Sequence, residues 1–282
     1  MSKKLTHNVL IFPDIHGRSF WRRPLEVYKE EIEAGKMEVV FLGDYLDPYS
    51  FEIEEDRAEN YLGCLRMLGE IVEFARGKKN VHLLLGNHDM HYFDRRYEKN
   101  IYKVRFCPSQ ANAKKIRNFF SENKNMFRLA WDCTIDDILI LFTHAGVLKS
   151  WVDVFFKGNK IRRPNAEFLN NILDDGKRDD ILKLCSLGPY RGGWGRIPGS
   201  PIWADVHEHV YGWKNEENPG RHIQEVYKDR IYQIFAHTLS FPMVSMNEFD
   251  SFDNFYIGEH FAMLDARRAF VMDTDGNIEE FK

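Results

Sequence analysis

The sequence predicts an α/β fold built on mixed sheets, and three observations carry that expectation. Strand-length apolar runs rich in Val, Ile, Leu and Phe recur at residues 8–12, 38–42, 81–85, 138–143, 231–236 and 268–273. Continuous apolar runs of this length read as buried central strands. Between the early runs lie segments of helical spacing, at 20–34, 57–76 and 114–123. The second places Tyr61, Cys64, Leu65, Leu68 and Val72 on one side. Alternating strands and helices imply parallel strands with covering helices. Asp136-Asp137 falls between 128–135 and 138–143, where a two-residue turn makes a hairpin and hence a mixed sheet. Tyr256, Phe261 and Phe270 read as core of the last strand region.

The stretch 186–220 is different. It is rich in Gly, Pro and Trp and has little periodicity. Its aromatic residues are costly to leave in water, so it reads as a long ordered loop inserted in a single domain spanning 1–282, and long loops of compact domains are often functional. The acidic run 52–56 reads as the start of a helix, where negative charge is favoured.

A chain of 282 residues with 44% hydrophobic and 29% charged residues of mixed sign is a globular rather than a disordered composition. The net charge of −4 counts against a general nucleic-acid binder, which carries a basic field. It leaves open an enzyme acting on nucleic acid through bound cations. Cys64, Cys107, Cys133 and Cys185 are far apart and form no CxxC pair, which argues against a zinc ribbon or a disulfide framework and suits a reducing compartment. The apolar run before Pro13 is too short for a secretory signal, and no stretch approaches the length of a membrane span. A cytoplasmic protein is expected.

The chemistry lies in the residues at the strand ends. After successive apolar runs come Asp14-Ile15-His16-Gly17, Gly43-Asp44-Tyr45-Leu46-Asp47, Gly86-Asn87-His88-Asp89, His144-Ala145-Gly146 and Ala236-His237-Thr238. In open sheets, ligands bind beyond the carboxyl ends of the strands. Carboxylate, imidazole and amide oxygen together suit divalent Mn, Fe, Zn, Co or Ni, and no cysteine joins them as it would in a structural zinc site. Asp14 and His16 are two apart and on an extended stretch share one face. The Asp44 carboxylate can bridge two ions, and such a pair can lower the pKa of a bridging water and stabilise charge on attacking and leaving oxygens.

These motifs, in this order, resemble the calcineurin-like metallophosphoesterase superfamily over residues 13–238. The Asp-Ile-His-Gly, Gly-Asp-Tyr-x-Asp, Gly-Asn-His and His-Ala-Gly versions are similar to the phosphoprotein phosphatases and the symmetrical diadenosine tetraphosphatases. The resemblance implies a four-layer sandwich with two mixed β-sheets flanked by helices. It implies a phosphoesterase with two divalent ions, manganese foremost, hydrolysing a phosphomonoester with a hydroxide activated by both. Asp14 and His16 would bind the first ion, Asp44 would bridge, and Asn87, His144 and His237 would bind the second. His88 would protonate the leaving oxygen, oriented by Asp47. The expected partner is a phosphorylated substrate. A dinucleoside polyphosphate hydrolase, a phosphodiesterase or nuclease, and a non-catalytic metal-binding scaffold are the alternatives.

The chain departs from the family pattern at several positions. Pro13 and Ala236 replace glycines. Leu239 stands where many members carry a further His for the first ion, a position the phosphoprotein phosphatases also leave without one. Pro48-Tyr49 replaces the Arg-Gly whose arginine grips phosphate. Arg191 and Arg196, flanking Gly-Gly-Trp-Gly, are candidates to take over that grip, since guanidinium holds phosphate in a bidentate way. A surface role fits them as well. Trp194, Tyr190 and Trp203 fill the loop's own core or stack on a base. His207-Glu208-His209 could bind a metal if extended, but reads rather as a solvated or substrate-facing loop.

Overall fold

In this computed structural model the described residues are 2–48, 60–98, 107–156, 164–193, 197–211, 213–214, 222–223, 230–238 and 255–282. Tyr49, the acidic run 52–56, Trp194, Arg196 and Leu239 lie outside them. Numbered along the chain, the strands are β1 (Lys3–Lys4), β2 (Asn8–Phe12), β3 (Met37–Phe41), β4 (Val81–Leu84), β5 (Phe127–Arg128), β6 (Ala130–Ile135) and β7 (Ile138–Thr143). The later strands are β8 (Trp213–Lys214), β9 (His222–Ile223), β10 (Ile231–Phe235), β11 (Tyr256–Ile257), β12 (Phe261–Met263), β13 (Phe270–Met272) and β14 (Ile278–Glu280).

The chain divides into two compact units, one of residues 4–128 with 267–282 and one of 129–266 with the first three residues. The first unit holds a six-stranded sheet in the order β14-β13-β2-β3-β4-β5. Its β2, β3, β4 and β5 run parallel, and β13 is antiparallel to both β2 and β14. The expected strand–helix alternation is therefore present, with an antiparallel edge. Helices cover this sheet. Tyr61–Ala75 begins at Asn60, whose side chain accepts from the Gly63 N–H at 2.8 Å, and Gln110–Glu122 begins at Ser109, whose hydroxyl accepts from the Asn112 N–H at 3.3 Å. Each cap satisfies one of the donors a helix start leaves unbonded. Under the strand ends, Phe12 stacks on Phe41 at 4.6 Å, Tyr45 packs on Phe127 at 6.1 Å and Phe120 on Phe127 at 4.9 Å. Burying each such ring contributes about 2–3 kcal/mol, which anchors the loops that leave β2, β3 and β4.

The second unit holds a sheet in the order β1-β6-β7-β10-β12-β11. Its β7, β10 and β12 run parallel, while β6 pairs antiparallel with β7 and β11 with β12. The Asp136-Asp137 hairpin is present: both residues have positive φ, 45° and 65°, as a two-residue type I′ turn requires. Helix Ala166–Asp174 packs on β6, and its Asn170 side chain accepts from the Leu129 and Ala130 N–H groups at 2.9 and 3.1 Å. A small ribbon pairs β8 with β9. Both sheets are mixed and flanked by helices, as the sequence predicts. Among the described residues no helix is long and apolar enough to cross a membrane.

Several expectations are corrected. The helical segment 20–34 is two helices, Arg22–Val27 and Lys29–Glu33, separated at Tyr28, whose φ of −98° and ψ of 17° are not helical. The segment 128–135 is not one strand, because β5 ends at Arg128 and β6 belongs to the other sheet. Tyr256, Phe261 and Phe270 lie on three separate strands; Phe261 and Phe270 are buried and Tyr256 is half-buried against Phe261. The stretch 186–220 is not all loop: it contains a 3-10 turn at Pro189–Arg191, the helix Val206–Tyr211 and β8.

Candidate metal centre

Each unit carries one set of buried donors on the loops that follow its parallel strands. In the first unit these loops leave β2, β3 and β4. Asp14, His16, Asp44, Asp47, Asn87 and His88 are all buried there. His16, Asp44 and Asp47 have φ of 43°, 52° and 58°, a region costly to non-glycine residues and found mainly where surrounding structure enforces it. The turns thus spend backbone energy to aim these side chains.

The enforcing contacts are specific. The His16 and Gly17 N–H groups donate to the Asp44 and Tyr45 carbonyls at 2.7 and 3.2 Å, which ties the first loop to the second. A Cβ built on Gly86 would sit 2.0 Å from Asp44 Oδ1, and one on Gly43 would sit 2.4 Å from Gly86 N. The second and third loops therefore meet backbone to backbone, with no room for a side chain. Asp89, fully buried, accepts from three backbone N–H groups: Asp44 at 2.7 Å, Tyr45 at 3.0 Å and Gly86 at 3.0 Å. Replacing it by Ala strands three buried donors at about 1–3 kcal/mol each. Asp89→Ala should therefore cost about 3 kcal/mol or more, read as a lower denaturant midpoint with the slope unchanged.

The donor geometry fits a divalent ion. One ligating atom from each of His16, Asp44 and His88 lies within 4.8 Å of the other two. His16 Nε2 stands 3.5 Å from Asp44 Oδ2 and 3.8 Å from Asp14 Oδ2. Metal bonds of about 2.0–2.2 Å set neighbouring ligands roughly 3–3.5 Å apart, so these separations suit a shared ion better than direct hydrogen bonds. His16 Nδ1 donates to the Leu46 carbonyl at 2.7 Å and lies 3.1 Å from that of Asp47, which leaves the lone pair on Nε2, facing the carboxylates. Burial holds the His16 pKa well below its usual value against the opposing pull of Asp44. The imidazole is therefore neutral, as ligation needs.

Asp47 and His88 are paired. His88 Nδ1 lies 2.8 Å from Asp47 Oδ2, and the Tyr92 hydroxyl donates to Asp47 Oδ1 at 2.9 Å while accepting from the Cys107 N–H at 2.7 Å. Burial raises the Asp47 pKa, with the His88 bond opposing. Asp44 Oδ1 accepts from the His88 N–H at 2.9 Å, so one carboxylate positions His88 and faces His16.

In the second unit, His144 and His237 come together. Their Nε2 and Nδ1 atoms are 3.0 Å apart, which serves either one hydrogen bond or two ligands of one cation. Thr143 Oγ1 accepts from the Gly146 N–H at 2.9 Å, and the buried Gln233 side chain bonds both backbone groups of Val147. These contacts fix the loop carrying His144. His237 has φ of 74°, and Arg191 Nη2 donates to its carbonyl at 2.9 Å.

Arg191 also bonds Thr238 Oγ1 at 3.2 Å and pairs through Nε with Asp205 at 2.9 Å. Its Nη2 and Nε are thus engaged by the segment carrying His237 and by Asp205. Trp203 packs edge-on against His237, with ring centres 5.7 Å apart, and Tyr190 stacks on His207. His207 and His209 lie on a helix rather than on an extended stretch or a loop. His209 is buried against Phe235 and bonds the Ala145 carbonyl at 3.2 Å, so it supports the loop that carries His144. Burial pushes the His209 pKa down to about 4, whereas an unfolded His titrates near about 6.5. Between those pH values the unfolded chain holds the extra proton, so stability falls as pH drops from about 6.5 toward 4. Thermal melts from pH 7 to pH 5 should show that slope, and His209→Phe should reduce it.

Sequence reasoning passed over three contributors, Tyr92, Gln233 and the buried Arg18, whose Nη1 donates to the Asp14 carbonyl at 3.0 Å, and read Asp89 only as a motif member without its bonds. Only Asp89 had a local signal, a carboxylate in the first helical turn able to reach back to the N–H before it.

No curated protein matches the chain significantly. Among solved structures it is similar to a protein serine/threonine phosphatase from Saccharomyces cerevisiae, at 14% identity, 98% of this chain, 80% of that one and a TM-score of 0.45. A provisionally assigned diadenosine tetraphosphatase matches at 14% identity over 99% and 95% of the two chains, with a TM-score of 0.44. An archaeal phosphodiesterase matches at 12% identity over 97% and 98%, with a TM-score of 0.36. Residues 7–241 match the family model of the calcineurin-like phosphoesterases, a stretch that contains every motif from Asp14 to His237. The chain belongs to that family of metal-dependent hydrolases of phosphate esters.

Proposed function

We propose that the chain is a phosphomonoesterase that acts on a phosphoprotein or small phosphorylated substrate with two divalent ions, manganese foremost. The observation that carries this reading is the Tyr92–Asp47–His88 chain of hydrogen bonds beside the His16 and Asp44 donors. When bound, the ions supply Lewis acidity and a water of lowered pKa. Asp14, His16 and Asp44 hold the first ion. Asp44, Asn87, His144 and His237 hold the second, an assignment that rests on the family's motifs and on the nitrogen pair of the two histidines.

His88 gives a proton to the leaving oxygen from Nε2, because Nδ1 is engaged by Asp47. Asp47 keeps the ring oriented, and Tyr92 occupies the second carboxylate oxygen so that Asp47 keeps its own orientation. Arg191 and Arg196 are the proposed phosphate contacts. The four cysteines are free thiols, which supports a reducing, cytoplasmic setting. The absence of a histidine at Leu239 favours a phosphatase. Asp89, where the protein phosphatases have glutamate, favours a second reading, a dinucleoside polyphosphate hydrolase.

Turnover of p-nitrophenyl phosphate and bis-p-nitrophenyl phosphate by the manganese-loaded chain tests the choice. Hydrolysis of the monoester alone is expected. Preference for the diester, or no turnover of either with two ions bound, would overturn the proposal.

A further inference from the structure

In the unit that carries His88, a cavity of about 560 Å³ opens beside the helices Asn87–Phe93, Arg95–Glu98 and Gln110–Glu122. Ligand pockets run to about 300–1,000 Å³, so it has room for a phosphorylated small molecule. Buried His91 and Tyr92 line it on one side. Arg95, Lys114 and Arg117 line it on others, and among the described residues no carboxylate does. Lys114 and Arg117 are three apart on one helix and so share a face. Gln110 and Ala111, also lining the cavity, belong to that helix's first turn, whose N–H groups and dipole favour an anion. Arg95 and Lys114 are exposed, and among the described residues neither makes an ion pair. Arg95 and Lys114, two like charges beside one hollow, repel one another unless an anion sits between them.

We propose that this cavity is a second anion site, which binds a phosphate group other than the one being hydrolysed. Guanidinium and ammonium groups from two helices can grip phosphate oxygens from different sides. The site reaches the reaction through Tyr92, whose hydroxyl holds Asp47 while Asp47 holds His88. A ligand seated against Tyr92 therefore bears on the residue that orients the proton donor. The phosphate can be free inorganic phosphate or a distal phosphate of a polyphosphorylated substrate. The first case does not depend on which ester the chain hydrolyses; the second requires a polyphosphorylated one.

Calorimetric titration of inorganic phosphate into the manganese-treated protein tests the site, with Asp44→Asn to disable the metal centre and Arg95→Glu/Lys114→Glu to reverse the cavity's charge. The Asp44→Asn protein should keep a phosphate site, and adding the two charge reversals should weaken that site at least tenfold. KM values then separate the sources. A tenfold rise for adenosine triphosphate without a rise for p-nitrophenyl phosphate assigns the site to a distal substrate phosphate. Weakened phosphate binding with both KM values unchanged assigns it to the free anion. Phosphate binding and KM values equal to those of the unmodified protein would overturn the proposal. If the chain hydrolyses neither ester, the calorimetric result still stands by itself.

Discussion

Replacing His88 by alanine should lower turnover about 10²–10⁴-fold while sparing bound metal, the range that a positioned general acid contributes. The reason lies in what surrounds its ring. Nδ1 is bonded to Asp47 at 2.8 Å, and the His88 backbone N–H is held by Asp44 at 2.9 Å. The alanine variant keeps that N–H, so Asp44 stays in place for the metal. Loss of the imidazole takes away the proton without dismantling the carboxylates. Metal content by mass spectrometry beside steady-state kinetics separates the two roles. A variant that loses metal in step with activity would make His88 a ligand, an alternative its grouping with His16 and Asp44 makes real. A poor leaving group should suffer more than p-nitrophenolate, which needs little protonation to depart.

Asp44→Asn should weaken metal binding by about 100-fold or more. Changes to groups that merely orient ligands already cost about 10–100-fold, and Asp44 faces the ion directly in the proposed centre. Asn keeps the shape and so tests charge rather than packing. Its backbone conformation, φ of 52°, is one that asparagine tolerates, and Asp89 still bonds its N–H. The fold should survive, as circular dichroism would show. Activity should recover in part at high manganese if occupancy is what was lost. Wild-type metal affinity in this variant would remove Asp44 from the ligand set.

Much of this site was legible because its residues sit in short motifs at the ends of apolar runs. A strand end fixes where the next few side chains go, so Asp14 with His16, or Asn87 with His88, can be read locally. The Asp136-Asp137 turn was legible for the same reason. What local sequence does not carry is pairing across long separations. Tyr92 meets Asp47 from 45 residues away, and Gln233 meets Val147 from 86.

The 186–220 stretch misled in the same way. Its Val206–Tyr211 helix has no periodicity long enough to read. Its order comes from Glu208, buried, accepting from the Gly199 and Asp205 N–H groups at 3.2 and 3.4 Å. Arg191, flagged for its charge, is held by Asp205 and by the His237 carbonyl. Its sequence context revealed neither partner. The short strands β11, β12 and β14 have two or three residues each, too few to show a period.

The most direct test of the two-metal account is a titration of manganese into the metal-free protein, with bound ions and hydrolysis of p-nitrophenyl phosphate followed together. The account predicts two ions per chain, with turnover rising as the second binds. One ion at full activity, or full activity in the presence of a chelator, would contradict it.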